Sequence, residues 1–367
     1  MMRRLEMTTI DSGLTGKVRI GTRTKELIGT IEPGCIAVIH HEDLDGLAAR
    51  GLADARVKAV LNGASTMTGS FPHEGAMPLI EHGIPVLDIP GPLFRLLRDG
   101  AKVRIEGATV EFEGSVYACR PITAESVLAA RAYAWTERWQ DTCLQFIGNT
   151  LEYAALEKEL VLKPLEQLPR LRTRMAGRPV VVVVRGGGYV EDLNSLASYI
   201  EQAQPVLVGV DGGADALLGA GFRPDIVAGD MDSVSDRGLR CGAELVVHAY
   251  ANGYAPGWKR VRQLGLHAHQ LFTPGTSEDM AMLLAYEQQA EVIVSVGAHS
   301  HIADFLQKGR PGMASTLLVR MKIGAKLIDV KGISKLFPAT RSPIGLDWSE
   351  SGIGAGASAY VWQGERY

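Results

Sequence analysis

Residues 206–236, VLVGVDGGADALLGAGFRPDIVAGDMDSVSD, narrow sharply how this chain can fold. The segment opens on an apolar run, residues 206–210, short and β-branched, as in a strand buried on both faces of a parallel sheet. Asp211 follows at once, then Gly212-Gly213 and a helical pattern of Ala214, Leu217 and Leu218 that closes at Gly219 and Gly221. A second short apolar run, residues 226–228, ends in Gly229-Asp230-Met231-Asp232-Ser233. Two strands therefore deliver carboxylates at their carboxyl ends, where open α/β sheets bind ligands.

Acids at i and i+2 in a turning chain can both reach one hard cation. With Asp211, Asp230 and Asp232 together, the oxygen set suits Mg²⁺ carrying nucleotide phosphates. The plainer reading is that Asp211 and Asp230 cap helices while Asp232 begins a turn. An isolated D-x-D means little. DGGAD followed by PDxxxGDxDS is far more specific and favours the ligand site.

The flanking segments supply further candidates. Residues 180–184 are pure valine and lead into Arg185-Gly186-Gly187-Gly188. A glycine run after a first strand lets backbone amides approach phosphate, and Arg185 can add a charge-assisted contact or simply sit at the surface. The spacing is not G-x-G-x-x-G, so a dinucleotide fingerprint is unsupported. Gly212, Gly213 and Ser233 join this phosphate-binding set. Residues 243–248 and 268–272 read as strands joined through the loop YANGYAPGWKRV. Thr276 or Ser277 caps the next helix, with Asp279 in its first turn, and both hydroxyls are phosphate candidates. The strand 292–296 ends in Gly297-Ala298-His299-Ser300-His301; His299 and His301 can read a substrate or partner, though an i, i+2 pair is a weak metal signal. Arg310 and Ser315, in KGRPGMAST before a helical run, form an anion seat or, more plainly, a capped helix with solvated cations.

The amino-terminal part predicts an α/β unit at residues 18–120 after a disordered start at 1–17. Strands are expected at 36–39, 57–61 and 86–88, helices at 44–55 and 76–82, and a β-hairpin turning at Gly107 and Gly114. His40-His41-Glu42-Asp43 with Asp45 follows a strand, but the acids fit the first turn of a helix better than a metal site. Residues 121–164 read as one long helix, and roughly 40 residues reach about 60 Å. Leu128, Trp135, Thr142, Asn149 and Leu156 alternate there with Ala132, Trp139, Phe146, Tyr153 and Leu160 at heptad spacing. A brace between domains or a dimer seam both fit, the dimer better, with Asn149 setting register. A charged linker, 165–178, leads to the unit 179–337, and 338–367 is expected to be a loosely attached tail.

Bulk properties exclude some classes. The 367 residues allow two or three domains, and 46% hydrophobic with 22% charged residues is an ordinary globular composition. A net charge of −3 without a basic block argues against nucleic-acid binding. Cys35, Cys119, Cys143 and Cys241 form no C-x-x-C pair, which excludes a zinc ribbon and fits a reducing cytoplasm. No stretch approaches the ~20 apolar residues of a membrane span, and residues 1–10 lack the apolar core of a secretory signal.

The acidic strand ends in DGGAD and GDMDS resemble the catalytic domain of thiamin pyrophosphokinases, whose acids hold Mg²⁺ and ATP. Downstream, GDMDSVSDRGLRCGAELVVHAY, GTSEDMAMLLA and FLQKGRPGMASTLLVRMKIGAKLIDVKGISKLF resemble the SteA-type proteins, pyrophosphokinase-like proteins linked to cytokinesis and daughter-cell separation in Gram-positive bacteria. The resemblance implies an α/β architecture: an amino-terminal swivelling-type domain, a long connecting helix, and a Rossmann-like parallel-sheet, pyrophosphokinase-like domain with a small extension. It also implies Asp279 beside Asp211, Asp230 and Asp232 as catalytic acids, a nucleotide ligand, a homodimer, division-site protein partners, and a cytoplasmic protein recruited to the septum. SteA-like proteins commonly end in a membrane segment, which this chain does not show. Residues 18–118 resemble the swivelling phosphohistidine domain of phosphoenolpyruvate-utilising enzymes, but the phosphorylated histidine falls on Glu74, one place after His73. A carboxylate does not replace imidazole as a stable phosphoryl carrier there. Thiamin kinases carry G-G-R-x-D-H where this chain has GAHSHIADF, so the resemblance implies an altered substrate.

Overall fold

The computed structural model describes residues 13–21, 23–165, 167–250 and 253–337, with only the backbone of residue 160. The expected tail at 338–367 and residues 1–12 of the expected disordered start lie outside the described residues. The chain forms two compact units, residues 13–144 with 306–309, and residues 145–305 with 310–337.

In the first unit, β1 (Leu14–Ile20), β2 (Ile36–Ile39), β3 (Ala59–Asn62) and β4 (Val86–Asp88) run parallel in that order. A meander of β5 (Lys102–Glu106), β6 (Thr109–Phe112) and β7 (Ser115–Ala118) adds antiparallel to β1, and β8 (Arg120–Ile122) adds antiparallel to β4. Side chains alternate across the sheet. Ala37 and Ile39 pack with Leu52 and Leu79 on one face, while Ile36 and Val38 pack with Leu93 and Ile105 on the other. Residues 14–17, expected to be disordered, pair with residues 102–105.

The acids after β2 serve the backbone. Asp45 caps the helix Gly46–Asp54 through Ala48 N. Asp43 holds the Thr68 amide and hydroxyl, and its Oδ1 lies 3.3 Å from Nε2 of buried His73. Glu74 pairs with Arg50 at 2.8 Å. No metal-ligand grouping occurs here among the described residues.

The expected long helix spans Ala124–Tyr133, a π-helical turn at Ala134–Arg138, and Trp139–Leu162. Thr123 and Ser126 close its start as a reciprocal cap. Of the heptad positions, Leu128, Ala132, Trp135, Tyr153 and Leu156 are exposed, whereas Phe146 is buried. Phe146, Thr150, Ala154 and Val161 are buried within the second unit, Phe146 lies 6.1 Å from Phe305 ring to ring, and Asn149 donates to the Pro311 carbonyl.

The second unit is an all-parallel sheet of β9 (Pro179–Val183), β10 (Val206–Val210), β11 (Ile226–Gly229), β12 (Glu244–Ala249), β13 (His269–Phe272), β14 (Val292–Val296) and β15 (Leu327–Asp329). Its order is β13-β12-β11-β10-β9-β14-β15. Val180, Val182, Val206 and Val208 face the helix Ser277–Glu287, whose residues 280–285 are all buried. Val181, Val183 and Leu207 pack on Leu193, Ile200 and Leu217. The chain steps outward from β9 to β13, then returns through that helix to place β14 on the other side of β9. The strand order thus reverses between β9 and β14, the topological switch point of an open α/β sheet.

The segment expected to be a linker is pinned. Glu244 accepts from Arg172 N, Thr173 N and the Thr173 hydroxyl at 2.7–2.8 Å. Among the described residues no helix is long and apolar enough to cross a membrane.

Candidate cation and phosphate site

Asp211 leaves β10 in the left-handed region, φ 48°, and its Oδ1 accepts from Met231 N at 2.9 Å. Close packing fixes this turn. A Cβ on Gly213 would fall 1.9 Å from the Val183 carbonyl, and one on Gly229 would fall 2.2 Å from Asp211 Oδ1. Beyond β11, Met231 also takes a positive φ of 60°, which turns Asp230 and Asp232 back toward Asp211. Asp230 Oδ1 accepts from Asp232 N at 3.1 Å.

The three carboxylates each offer an oxygen within 4.8 Å of the others. Burial first, and the neighbouring Asp230 charge second, push the Asp211 carboxyl up to about 7, against hydrogen bonds from Met231 N and the Ser277 hydroxyl. An all-oxygen set without thiolate or imidazole suits a hard divalent cation such as Mg²⁺. A hollow of about 400 Å³ between Arg178, Gln204, Phe222 and Asp225 lies at the opposite, amino-terminal end of the sheet.

Asp279 stands apart from these acids. It is 1% exposed and accepts from Thr276 N, Ser315 Oγ and Thr316 Oγ1, each at 3.0 Å. Burial and the adjacent Glu278 charge raise its carboxyl to about 6. The structure does not bring Asp279 into the grouping of Asp211, Asp230 and Asp232: its Oδ2 closes the cap of Ser277–Glu287 and anchors the helix Ala314–Ile323. Ser315, expected to bind phosphate, spends its hydroxyl on Asp279. Thr276, not Ser277, is the cap, since Thr276 Oγ1 accepts from Asp279 N. Ser277 is instead the residue that reaches Asp211.

The glycine-loop expectation divides. Gly186 is buried, with space for a Cβ closed by the Gly297 carbonyl at 2.1 Å, whereas nothing lies within 4 Å of such a position on Gly187. Arg185 Nη2 donates to the Ser233 carbonyl at 3.0 Å, and its guanidinium lies against Gly212, where a Cβ would meet it at 2.1 Å. Arg185 thus braces the Asp232–Ser233 turn from beneath.

His299 and His301 do not act together. Glu278 Oε2 takes both His299 Nδ1, at 3.0 Å, and His299 N, at 3.2 Å. His301 is exposed, and its Nδ1 accepts from Ala303 N. Arg310 is exposed, and its charge bears on Tyr250 and His248. Sequence reasoning missed Glu278, because an acid in a first helical turn has an ordinary reason to be there. It also missed Tyr250, whose only signal was its place one residue beyond a strand.

Fold and site together define an α/β protein in which three carboxylates gather at the carboxyl ends of a parallel sheet. No model of a known family matches the chain, and no curated protein does. Among solved structures it is similar to thiamine pyrophosphokinase from Bacillus subtilis, at 20% identity and a TM-score of 0.26, over 41% of this chain and 60% of that chain. The chain therefore spans less than two-thirds of that enzyme's length. A likeness of this size carries no functional weight, and the resemblance to SteA-type proteins finds no counterpart in these comparisons.

Proposed function

We propose that the carboxyl-terminal unit binds Mg²⁺ through Asp211, Asp230 and Asp232, and with it a nucleotide or related phosphorylated ligand. The observation that supports this reading is the convergence of three carboxylate oxygens within 4.8 Å from two different strand ends. Bound there, Mg²⁺ would offset the phosphate charge. Gly187 lies at the open side of the glycine loop, and Arg310 adds positive charge near Tyr250. The wider role we propose is SteA-like, with ligand binding as a switch in cell division or separation, a homodimer formed through the long helix, and partners at the septum. That wider role rests on the sequence resemblance alone.

A second reading is an active pyrophosphokinase converting ATP to AMP. One observation favours it: Glu278 Oε2 holds both Nδ1 and the amide of His299, which fixes the imidazole's position just beyond β14. The loss of the G-R-x-D-H pattern in GAHSHIADF disfavours thiamin as that substrate. Isothermal titration of the full chain with ATP in Mg²⁺, followed by an AMP-release assay with thiamin, separates the two. Mg²⁺-dependent binding without turnover supports the first reading, and AMP release abolished by Asp230→Asn supports the second. No ATP binding in either condition would refute both.

A further inference from the structure

Strand β12 lies beside β11, and the pairing of Gly229 with Val247 brings the residues that follow, Asp230 and His248, level with each other. Tyr250 stands two positions on. The chain then returns to the same turn, where Gly257 packs so closely that a Cβ would fall 2.5 Å from the Asp230 carbonyl. Tyr250 N donates to the Tyr254 carbonyl at 3.0 Å, which ties the two aromatic residues together.

Their rings are 12° from parallel with centroids 6.5 Å apart, and the His248 ring lies 5.2 Å from Tyr250 on its inner side. His248 is itself fixed, with Nε2 3.0 Å from both the carbonyl and the hydroxyl of Thr273. Tyr250 is 40% exposed and Tyr254 63% exposed. Aromatic faces held parallel and open to solvent beside a polar site offer a flat apolar ligand surface. Tyr250 also lies within the field of Asp230, Asp232, Asp211 and Arg310; after burial, the Asp230 charge is the chief influence raising its phenol.

We infer that Tyr250 and Tyr254 form a stacking platform for the base of a nucleotide whose phosphates lie at the Asp211–Asp230–Asp232 cluster. The inference rests on the cation-site reading and narrows its ligand: a phosphorylated compound with a planar ring, not inorganic polyphosphate or a simple sugar phosphate. Every nucleobase presents a π-face, so the platform recognises the class and discriminates weakly among bases. Its stacking is worth about 5- to 150-fold in affinity.

The test titrates the full chain in Mg²⁺ with ATP and, separately, with inorganic tripolyphosphate. The expected result is tighter binding of ATP, a loss of about 5- to 150-fold for ATP in Tyr254→Ala, and unchanged binding of tripolyphosphate. Tyr254→Phe keeps the ring and is expected to retain ATP affinity, which excludes a folding defect as the cause. Equal affinity of the two probes in the unaltered protein, or an unchanged ATP affinity in Tyr254→Ala, overturns the platform while leaving the cation site standing. Failure of both probes to bind overturns the cation-site reading, and the platform with it.

Discussion

Replacing Asp230 with Asn separates a cation site from an acidic turn, because the two make opposite predictions for stability. The amide keeps an oxygen to accept from Asp232 N and keeps the side-chain shape, so the main change is the loss of one negative charge. Two unit charges 4.8 Å apart repel by about 3.5 kcal/mol at an effective dielectric of 20. The Asp211 carboxyl responds in the same direction, raised to about 7 from its ordinary 3.8 by burial first and the Asp230 charge second. Asp230 is half-buried, and solvent screening cuts the repulsion, so removing its charge relieves about 1–2 kcal/mol. The folded-state value of Asp211 lies above the unfolded one. Native stability therefore falls as pH rises from about 4 through 7, and the full penalty stands above 7. Without Mg²⁺, Asp230→Asn should melt about 2–8 °C higher at pH 8, and the gain should shrink toward pH 5. With Mg²⁺ at a hundred times its Kd, the unaltered protein gains about 2.7 kcal/mol that the variant forgoes, so the order reverses. Scanning calorimetry at both pH values, in EDTA and in MgCl₂, reads all four cells. A variant less stable in EDTA at pH 8, or one with an undiminished Mg²⁺ increment, would refute the reasoning.

Asp279→Ala is expected to cost about 2–4 kcal/mol by leaving the buried Thr276 and Thr316 donors and the half-buried Ser315 hydroxyl without their acceptor, yet to keep the Mg²⁺ increment in the same melts; its disappearance would return Asp279 to the cation site. Gly229→Ala places a methyl 2.2 Å from Asp211 Oδ1 at a φ of 139°, so it should abolish Mg²⁺ binding by calorimetric titration and cost about 1–3 kcal/mol in strain; unchanged Mg²⁺ affinity would count against the placement of Asp211. Ile147 and Leu151 are 47% and 60% exposed on the long helix, beside an apolar groove of about 220 Å³ formed with Ile302, Met313 and Leu317. Changing both to Glu should halve the mass in sedimentation equilibrium with a shift in stability of about 0.5 kcal/mol or less; a monomeric unaltered protein would remove the dimer from the proposal.

The strands readable in the sequence were those whose information is local. Ile36–Ile39, Val86–Asp88 and Val206–Val210 are apolar runs bounded by Gly, Pro or Asp, and their limits follow from that punctuation. Leu14–Ile20, LTGKVRI, carries no such run; it is a strand because Val103 and Ile105 lie across from it, nearly ninety residues away. The same distinction governs the acids. Asp211, Asp230 and Asp279 all stand where a strand ends or a helix begins, and spacing alone does not say which carboxylate faces a ligand. Ser315 and Thr316 decide it for Asp279 from 36 and 37 residues further along. Heptad spacing correctly announced a long helix, but Phe146 and Asn149 show that a periodic stripe does not name its occupant.

Asp211, Asp230 and Asp232 gather several costs in one place. Helix capping needs none of them, since Ser235 and Thr276 cap with hydroxyls at ordinary extended φ; Asp211 and Asp230 each spend one oxygen on the Met231 and Asp232 amides of the turn, which leaves their other oxygens and Asp232 unexplained by chain turning. At the carboxyl ends of β10 and β11, by contrast, Asp211 and Met231 both hold positive φ, Gly229 is packed against a carboxylate, and three acids crowd within 4.8 Å. Strained backbone of this kind costs about 1–3 kcal/mol per residue and persists only where surrounding structure over-determines it. Here the surroundings do so: Arg185 holds the Ser233 carbonyl, Gly213 lets its helix close on β9, and Ser277 reaches across to Asp211. Three separate parts of the unit thus maintain an arrangement in which the carboxylates repel one another, and the cation proposed above is the partner that would turn that crowding into binding energy.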